Sequence, residues 1–191
     1  MNFLVFIVCL VFSYLLGSIQ GPYISSRYIY NDKKVVSEWQ EYKTIHTFNK
    51  ERISVIIIDG VKILIPTLIL FLSAPLFSLE PRFAALLGGG SATLGHMYPF
   101  FRLGKGEAME AFMITALFVS LPSALISILV FCALFVVFGR KTIPFVVSVF
   151  ACPVVLIIFF RPTFEVGILS ILYSILIFWR QKKAVNTFLS E

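Results

Sequence analysis

The chain has 191 residues, of which 59% are hydrophobic and only 14% are charged, with a formal net charge of +6. Soluble domains are nearer half apolar and a quarter charged, so this composition excludes a soluble globular protein. It predicts an integral membrane protein made of one domain over residues 1–191. Because no basic stripe lies on a soluble module, nucleic acid is not an expected partner.

The first apolar segment covers residues 2–24. Within it, residues 3–16 lack a positively charged start and are followed by no small-residue cleavage site, so we expect a permanent first helix there rather than a signal peptide. Further apolar segments cover residues 53–73, 83–101, 107–138, 142–160 and 164–179. A spanning helix needs roughly 20 apolar residues, fewer if it is short or embedded in a bundle. The segment 107–138 is either one long tilted helix or two short helices broken around Pro122.

The positions of the basic residues favour two helices over residues 107–138. With two helices and the N-terminus outside, every lysine and arginine lies on the cytoplasmic side except Lys62, Arg82 and Arg161. A single helix would move Arg140, Lys141 and the C-terminal cations to the outside. Because cytoplasmic loops carry an excess of cations, we predict an all-α protein with seven short transmembrane helices, the N-terminus outside and the C-terminus cytoplasmic.

Residues 25–52 form the only large segment that we expect outside the membrane, on the cytoplasmic side. Loops of this length between helices are usually functional. Its aromatic residues, such as Trp39 and Tyr42, are equally compatible with anchors at the membrane interface.

Asp59 and Lys62 are three residues apart within the second span, so they share a helix face. Ionisable side chains inside a span are costly and usually face the bundle interior. The spacing permits mutual neutralisation. It is compatible with a structural ion pair or with a pair that orients groups or contributes charge in an active site.

The third span and the residues after it combine small and polar residues. The run 88–92 and Gly95 predict close packing between helices. His96 near the end of the span is either a packed structural histidine or a catalytic one. In Gly104-Lys105-Gly106, glycine N–H groups beside a lysine are suited to bind a phosphate, although a basic loop that follows the positive-inside rule explains the same residues.

Five segments occur along the chain in an order that is typical of one enzyme family. They are Tyr14-Leu15-Leu16-Gly17-Ser18-Ile19, Asp59 with Lys62, Gly95-His96 with Pro99, Gly104-Lys105-Gly106 with Ala108, and Trp179-Arg180-Gln181-Lys182. Together they resemble the bacterial acyl-phosphate:glycerol-3-phosphate acyltransferases, the PlsY family. Each segment is weak alone, and their collinear order carries the resemblance.

The resemblance implies a multi-pass enzyme of the bacterial plasma (inner) membrane that acts in phospholipid biosynthesis without a metal or cofactor. Such an enzyme transfers an acyl group from acyl phosphate to glycerol 3-phosphate or a related phosphate-bearing acceptor. Membrane lipids are its other implied partners. Ser37, His96 and Lys105 would be catalytic, with Ser37 contacting the acceptor. The implied substrate-binding residues are Lys33, Gly104, Gly106, Arg180, Asp59 and Lys62.

Departures from the family pattern keep two other hypotheses open. Val36, Glu38 and Trp39 surround Ser37 where the family has a glycine- and asparagine-rich loop, and Gln181 stands where it has histidine. A catalytically inactive relative that binds a lipid, or a protein partner through residues 25–52, is therefore the second hypothesis. An unrelated small transporter is the third, which would require inverted repeats and several polar residues within the membrane.

Overall fold

The computed structural model describes residues 2–25, 28, 50–100, 108–139 and 142–189. Every regular element within these residues is helical. The elements are α1 (Asn2–Ser18), α2 (Gly21–Ile24), α3 (Lys50–Ser73), a 3-10 helix (Ala74–Phe77), α4 (Pro81–Met97), α5 (Ala108–Val119), α6 (Leu121–Phe138), α7 (Thr142–Phe160) and α8 (Phe164–Leu189).

The break predicted within residues 107–138 is confirmed. Ser120 separates α5 from α6 with an extended backbone, φ −162° and ψ 104°. Its hydroxyl oxygen accepts the Ser123 N–H at 3.4 Å and so caps the start of α6. Pro122 lies in the first turn of α6, where the missing N–H of proline is tolerated.

α1 confirms the helix predicted over residues 3–16, but the apolar segment 2–24 is not one continuous helix. α1 ends at Ser18, Gln20 is extended with φ −87° and ψ 118°, and α2 begins at Gly21 with Pro22 in its first turn. Proline at that position disfavours continuation of α1 into α2. The break removes the backbone groups of Ile19 and Gly21 from a continuous helical hydrogen-bond pattern.

α4 is the central helix, because it packs against α1, α3, α5 and α8. Its small residues allow this. A Cβ added at Gly88 would collide with α3, and one added at Gly89 would collide with threonines of α3 and α5. The predicted packing role of the small-residue run is therefore confirmed at these two positions, while Gly90 faces open space.

Within the described residues, four helical stretches are long and apolar enough to cross a membrane, and α1 is a shorter apolar helix. The four stretches are Ile53–Phe77, Leu121–Phe138, Thr142–Phe160 and Phe164–Lys182. Large apolar side chains such as Leu129, Val136 and Phe159 point outward. An extensive exposed apolar surface of this kind suits contact with lipid. The fold is that of an all-helical integral membrane protein.

Candidate functional site

Asp59 and Lys62 form a buried ion pair on α3. Lys62 Nζ lies 2.6 Å from Asp59 Oδ1, and each residue keeps only 7% of its surface exposed. The mutual neutralisation that their spacing predicted is confirmed. Such a pair avoids the cost of a lone charge in a spanning segment.

The ion pair also bonds to the backbone on both sides of the α1–α2 break. Lys62 Nζ donates a hydrogen bond to the carbonyl oxygen of Ile19 at 2.6 Å, and the Gly21 N–H donates one to Asp59 Oδ1 at 3.2 Å. The break leaves the Ile19 carbonyl oxygen and the Gly21 N–H without a helical partner among the described residues. Lys62 donates to the first, and Asp59 accepts from the second. A Cβ on residue 21 would collide with the Asp59 carboxylate, so a larger residue there would displace the carboxylate.

His96 adds a third ionisable side chain to the site. It lies in the last turn of α4, is 2% exposed, and places Nδ1 at 3.9 Å from Asp59 Oδ1. This distance is too long for a hydrogen bond but allows an ionic contact if the imidazole is protonated. Asp59, Lys62 and His96 are called the ion-pair cluster below.

Close approach of α1 to α4 brings the α1–α2 break to the ion-pair cluster. A Cβ on Gly17 would overlap the Ala92 carbonyl, and one on Gly95 would overlap the Tyr14 carbonyl. Ser91 Oγ also donates to the carbonyl oxygen of Leu10 at 2.8 Å. Small residues on both helices therefore allow the close contact between α1 and α4 that places the break near His96.

A second group of contacts lies just beyond α4. Tyr14 Oη donates to the carbonyl oxygen of Tyr98 at 2.8 Å, and the Arg180 guanidinium carbon lies 5.7 Å from the centroid of the Tyr98 ring. These three residues, from α1, the end of α4 and α8, are called the Tyr98 junction. The junction is two residues beyond His96, at the same end of α4.

The structure brings four of the predicted site residues to this end of α4. Asp59, Lys62 and His96 form the ion-pair cluster, and Arg180 belongs to the Tyr98 junction. The other five predictions lie outside the described residues: Lys33, Ser37, Gly104, Lys105 and Gly106.

The sequence did not predict the backbone partners of the ion pair or the contacts of Tyr98 with Tyr14 and Arg180. The polar Gln20 before Gly21-Pro22 was the available signal for the break. No comparable signal marked Tyr98. Within the part of the chain that the structure describes, no group of three His, Cys, Asp or Glu side chains could hold a metal ion.

An apolar helix bundle with buried charges and with tyrosine and arginine side chains at one end defines a multi-pass membrane protein with a polar site at that end. The family model for glycerol-3-phosphate acyltransferase matches residues 7–191, and the chain belongs to that family. The resemblance drawn from its motifs is thereby confirmed. The family acts in phospholipid biosynthesis, and membership excludes the hypothesis of an unrelated transporter.

Two solved structures have a similar fold. Both are crystal structures of PlsY (YgiH), described as an integral membrane glycerol 3-phosphate acyltransferase. The glycerol 3-phosphate form has a TM-score of 0.73 and 22% identity, and covers 97% of this chain and 92% of that chain. The lysophosphatidic acid form has a TM-score of 0.74, 21% identity and the same coverage of 97% and 92%. A search of curated proteins found no match to this chain.

Proposed function

We propose that this protein transfers an acyl group from acyl phosphate to glycerol 3-phosphate or a related acceptor. The family match over residues 7–191 carries the proposal, since it includes every segment in which we predict a substrate-binding residue. An acceptor hydroxyl would attack the acyl carbonyl carbon. The ester C–O bond would form as the bond to phosphate breaks, and inorganic phosphate would leave.

In this proposal, charge stabilisation and positioning supply most of the catalysis, since both substrates carry phosphates. Lys105 and the N–H groups of Gly104 and Gly106 would bind the phosphate of one substrate. Lys33 would bind the phosphate of the acceptor, and Ser37 would contact its hydroxyl-bearing part. Arg180 is suited to bind two phosphate oxygens, because its planar guanidinium carries five N–H donors.

The contacts of the ion-pair cluster suggest how the remaining residues contribute. The described hydrogen bonds of Asp59 and Lys62 are made with the Gly21 N–H and the Ile19 carbonyl oxygen, which lie shortly before the segment 25–52. We therefore expect Asp59 and Lys62 to affect substrate binding indirectly, by fixing the position at which the segment 25–52 starts. His96 lies beside Asp59 and would support this arrangement. Direct contact of these residues with a substrate stays a prediction.

The contacts between helices support seven crossings. Tyr14 near the end of α1, Tyr98 after α4 and Arg180 late in α8 meet at one place, so these three helices run in the same direction. In a membrane, α3 must then return between α1 and α4, and α5, α6 and α7 must supply one or three crossings between α4 and α8; three crossings give the predicted total of seven. We propose one domain over 1–191 in the bacterial plasma membrane, with the N-terminus outside and the C-terminus cytoplasmic.

The proposed topology is tested by single cysteines placed at residues 2 and 191 in a chain without its three native cysteines. In intact cells, a membrane-impermeant maleimide should label residue 2 and should not label residue 191 until the membrane is opened. Labelling of both residues in intact cells would contradict the proposed topology.

The proposed activity is tested with purified protein, labelled palmitoyl phosphate and glycerol 3-phosphate. We expect the wild type to form lysophosphatidic acid and Lys105→Ala to lose at least 100-fold of that rate, on the order of the loss of one charge-stabilising donor. Lys141→Ala is the matched control, because it removes a lysine of the same predicted membrane side, and it should retain activity.

The changed residues around Ser37 favour a second candidate function, that of a catalytically inactive relative. Glu38 and Trp39 replace the small and amide residues expected beside an acceptor site. That candidate would bind acyl phosphate, lipid or a protein partner through residues 25–52 without forming product. Binding of labelled palmitoyl phosphate with no transfer to any phosphate-bearing acceptor would support it and contradict the proposed activity.

A further inference from the structure

We propose that Tyr98 is a positioning residue that holds the Arg180 guanidinium at the end of the bundle where the segment carrying Lys105 begins. The proposal rests on the proposed function, because it assigns the direction in which Arg180 would meet a substrate phosphate. It concerns a residue that neither the motif resemblance nor the ion-pair cluster includes.

The backbone of Tyr98 is held at the end of α4. α4 ends at Met97, and the Tyr98 N–H still donates to the carbonyl oxygen of Leu94 at 2.8 Å. Tyr98 itself has φ −129° and ψ 69°, and the following Pro99 disfavours a further helical turn. The backbone of Tyr98 is therefore restrained by the last hydrogen bond of α4, while 44% of the residue's surface is exposed.

Tyr14 holds the same residue from the other side. A helix end leaves carbonyl oxygens without a partner inside the helix, and the Tyr14 hydroxyl donates a hydrogen bond to the backbone carbonyl oxygen of Tyr98. Since α1 contacts α4 at Gly17 and Gly95, Tyr14 on α1 lies close to the end of α4. Tyr98 is thus restrained by two helices before Arg180 is considered.

The contact with Arg180 then connects α8 to this restrained residue. The guanidinium carbon lies 5.7 Å from the Tyr98 ring centroid, within the range of a cation–π contact. A guanidinium that stacks through its face keeps its N–H edge for an anion. The neighbouring pair is different, because Lys182 lies 5.5 Å from the Trp179 ring on the same helix and so joins no two elements.

Two substitutions separate the ring from the rest of the tyrosine. Tyr98→Phe keeps the ring and the backbone carbonyl, whereas Tyr98→Leu removes the ring and keeps an apolar side chain. The first readout is the rate at which phenylglyoxal modifies Arg180, followed by peptide mass spectrometry in one detergent. Arg161 is the internal control, because it precedes α8, and the start of that helix at Phe164 lies about 24 Å from Arg180 at a helical rise of about 1.5 Å per residue.

We expect Arg180 to react about 2- to 5-fold faster in Tyr98→Leu than in the wild type, the factor that corresponds to loss of an exposed cation–π contact. Tyr98→Phe should react at the wild-type rate, and Arg161 should react equally in all three proteins. Equal rates at Arg180 in all three proteins, or a Phe variant as fast as the Leu variant, would overturn the proposal.

The second readout is acyl transfer. Tyr98→Leu should raise the KM for acyl phosphate or for glycerol 3-phosphate about 2- to 5-fold with kcat changed less, and Tyr98→Phe should restore the wild-type KM. Unchanged KM values in an active Tyr98→Leu variant would overturn the role toward substrate. A wild type without transfer would reject the proposed function, and the phenylglyoxal rates would then decide the positioning of Arg180 alone.

Discussion

Replacing Lys62 by methionine should destabilise the protein strongly, because it leaves a buried carboxylate without its counter-charge. Lys62 Nζ lies 2.6 Å from Asp59 Oδ1, and both residues are 7% exposed. Methionine keeps an unbranched apolar chain, so the substitution removes the charge with little change in packing. The same change also removes the donor that serves the carbonyl oxygen of Ile19.

The size of the effect follows from the contacts that are lost. Breaking a buried ion pair by removing one partner costs about 3–5 kcal/mol, since the remaining charge stays buried. The Gly21 N–H at 3.2 Å is the described hydrogen bond that Asp59 would retain. A loss in this range is a large fraction of the total stability of an ordinary domain, about 5–15 kcal/mol.

The double variant Asp59→Asn with Lys62→Met separates charge from shape. The asparagine oxygen can still accept the Gly21 N–H, and no charge remains unpaired. We therefore expect the double variant to be more stable than Lys62→Met alone, with an interaction energy of about 1–3 kcal/mol between the two sites. The free energy of unfolding is measured by denaturant titration in one detergent for the wild type, Asp59→Asn, Lys62→Met and the double variant.

Two results would refute this reasoning about the ion-pair cluster. One is a Lys62→Met variant as stable as the wild type, which would mean that Asp59 does not depend on Lys62. The other is a double variant whose loss equals the sum of the two single losses, which would mean that the two charges do not interact. An active Lys62→Met variant with a normal KM would also contradict its proposed effect on the segment 25–52.

Three further predictions concern packing and hydrogen bonds and use the same unfolding measurement. Gly95→Ala should cost about 1–3 kcal/mol, because its Cβ would overlap the Tyr14 carbonyl and force α1 away from α4; Gly90→Ala, with nothing within 4 Å, is the control and should cost nothing. Equal losses in these two variants would argue against close packing as the cause. Ser120→Ala should cost about 1 kcal/mol through loss of the α6 cap, and an unchanged stability would show that Pro122 alone sets the break. Tyr173→Phe should cost about 1 kcal/mol, since its buried hydroxyl donates to α4; a more stable variant would show that this hydroxyl is not satisfied.

Local signals in the sequence predicted the parts of the fold that depend on neighbouring residues. Pro122 and the positions of the basic residues predicted the break between α5 and α6. The three-residue spacing of Asp59 and Lys62 predicted their ion pair. The small residues of α4 predicted close packing, because a helix face without large side chains lets the backbone of a neighbouring helix approach closely.

The features that depend on distant residues could not be predicted in the same way. The bonds from Lys62 to Ile19 and from Gly21 to Asp59 join residues about forty positions apart, and the packing of α3 against α1 and α2 brings them together. The Arg180–Tyr98 contact depends on α8 packing against α4. The roles predicted for Lys33, Ser37 and Lys105 come from the family resemblance, because a single lysine or serine has no local sequence pattern that specifies a substrate.

The most direct test of the proposed acyl transfer is to measure two products in one reaction. Purified wild-type protein would be given palmitoyl phosphate and glycerol 3-phosphate, and lysophosphatidic acid and inorganic phosphate would be followed together. The proposed function predicts that both appear at the same rate, because each ester bond formed releases one phosphate. Phosphate without the lipid, or neither product, would contradict transfer to glycerol 3-phosphate by this protein.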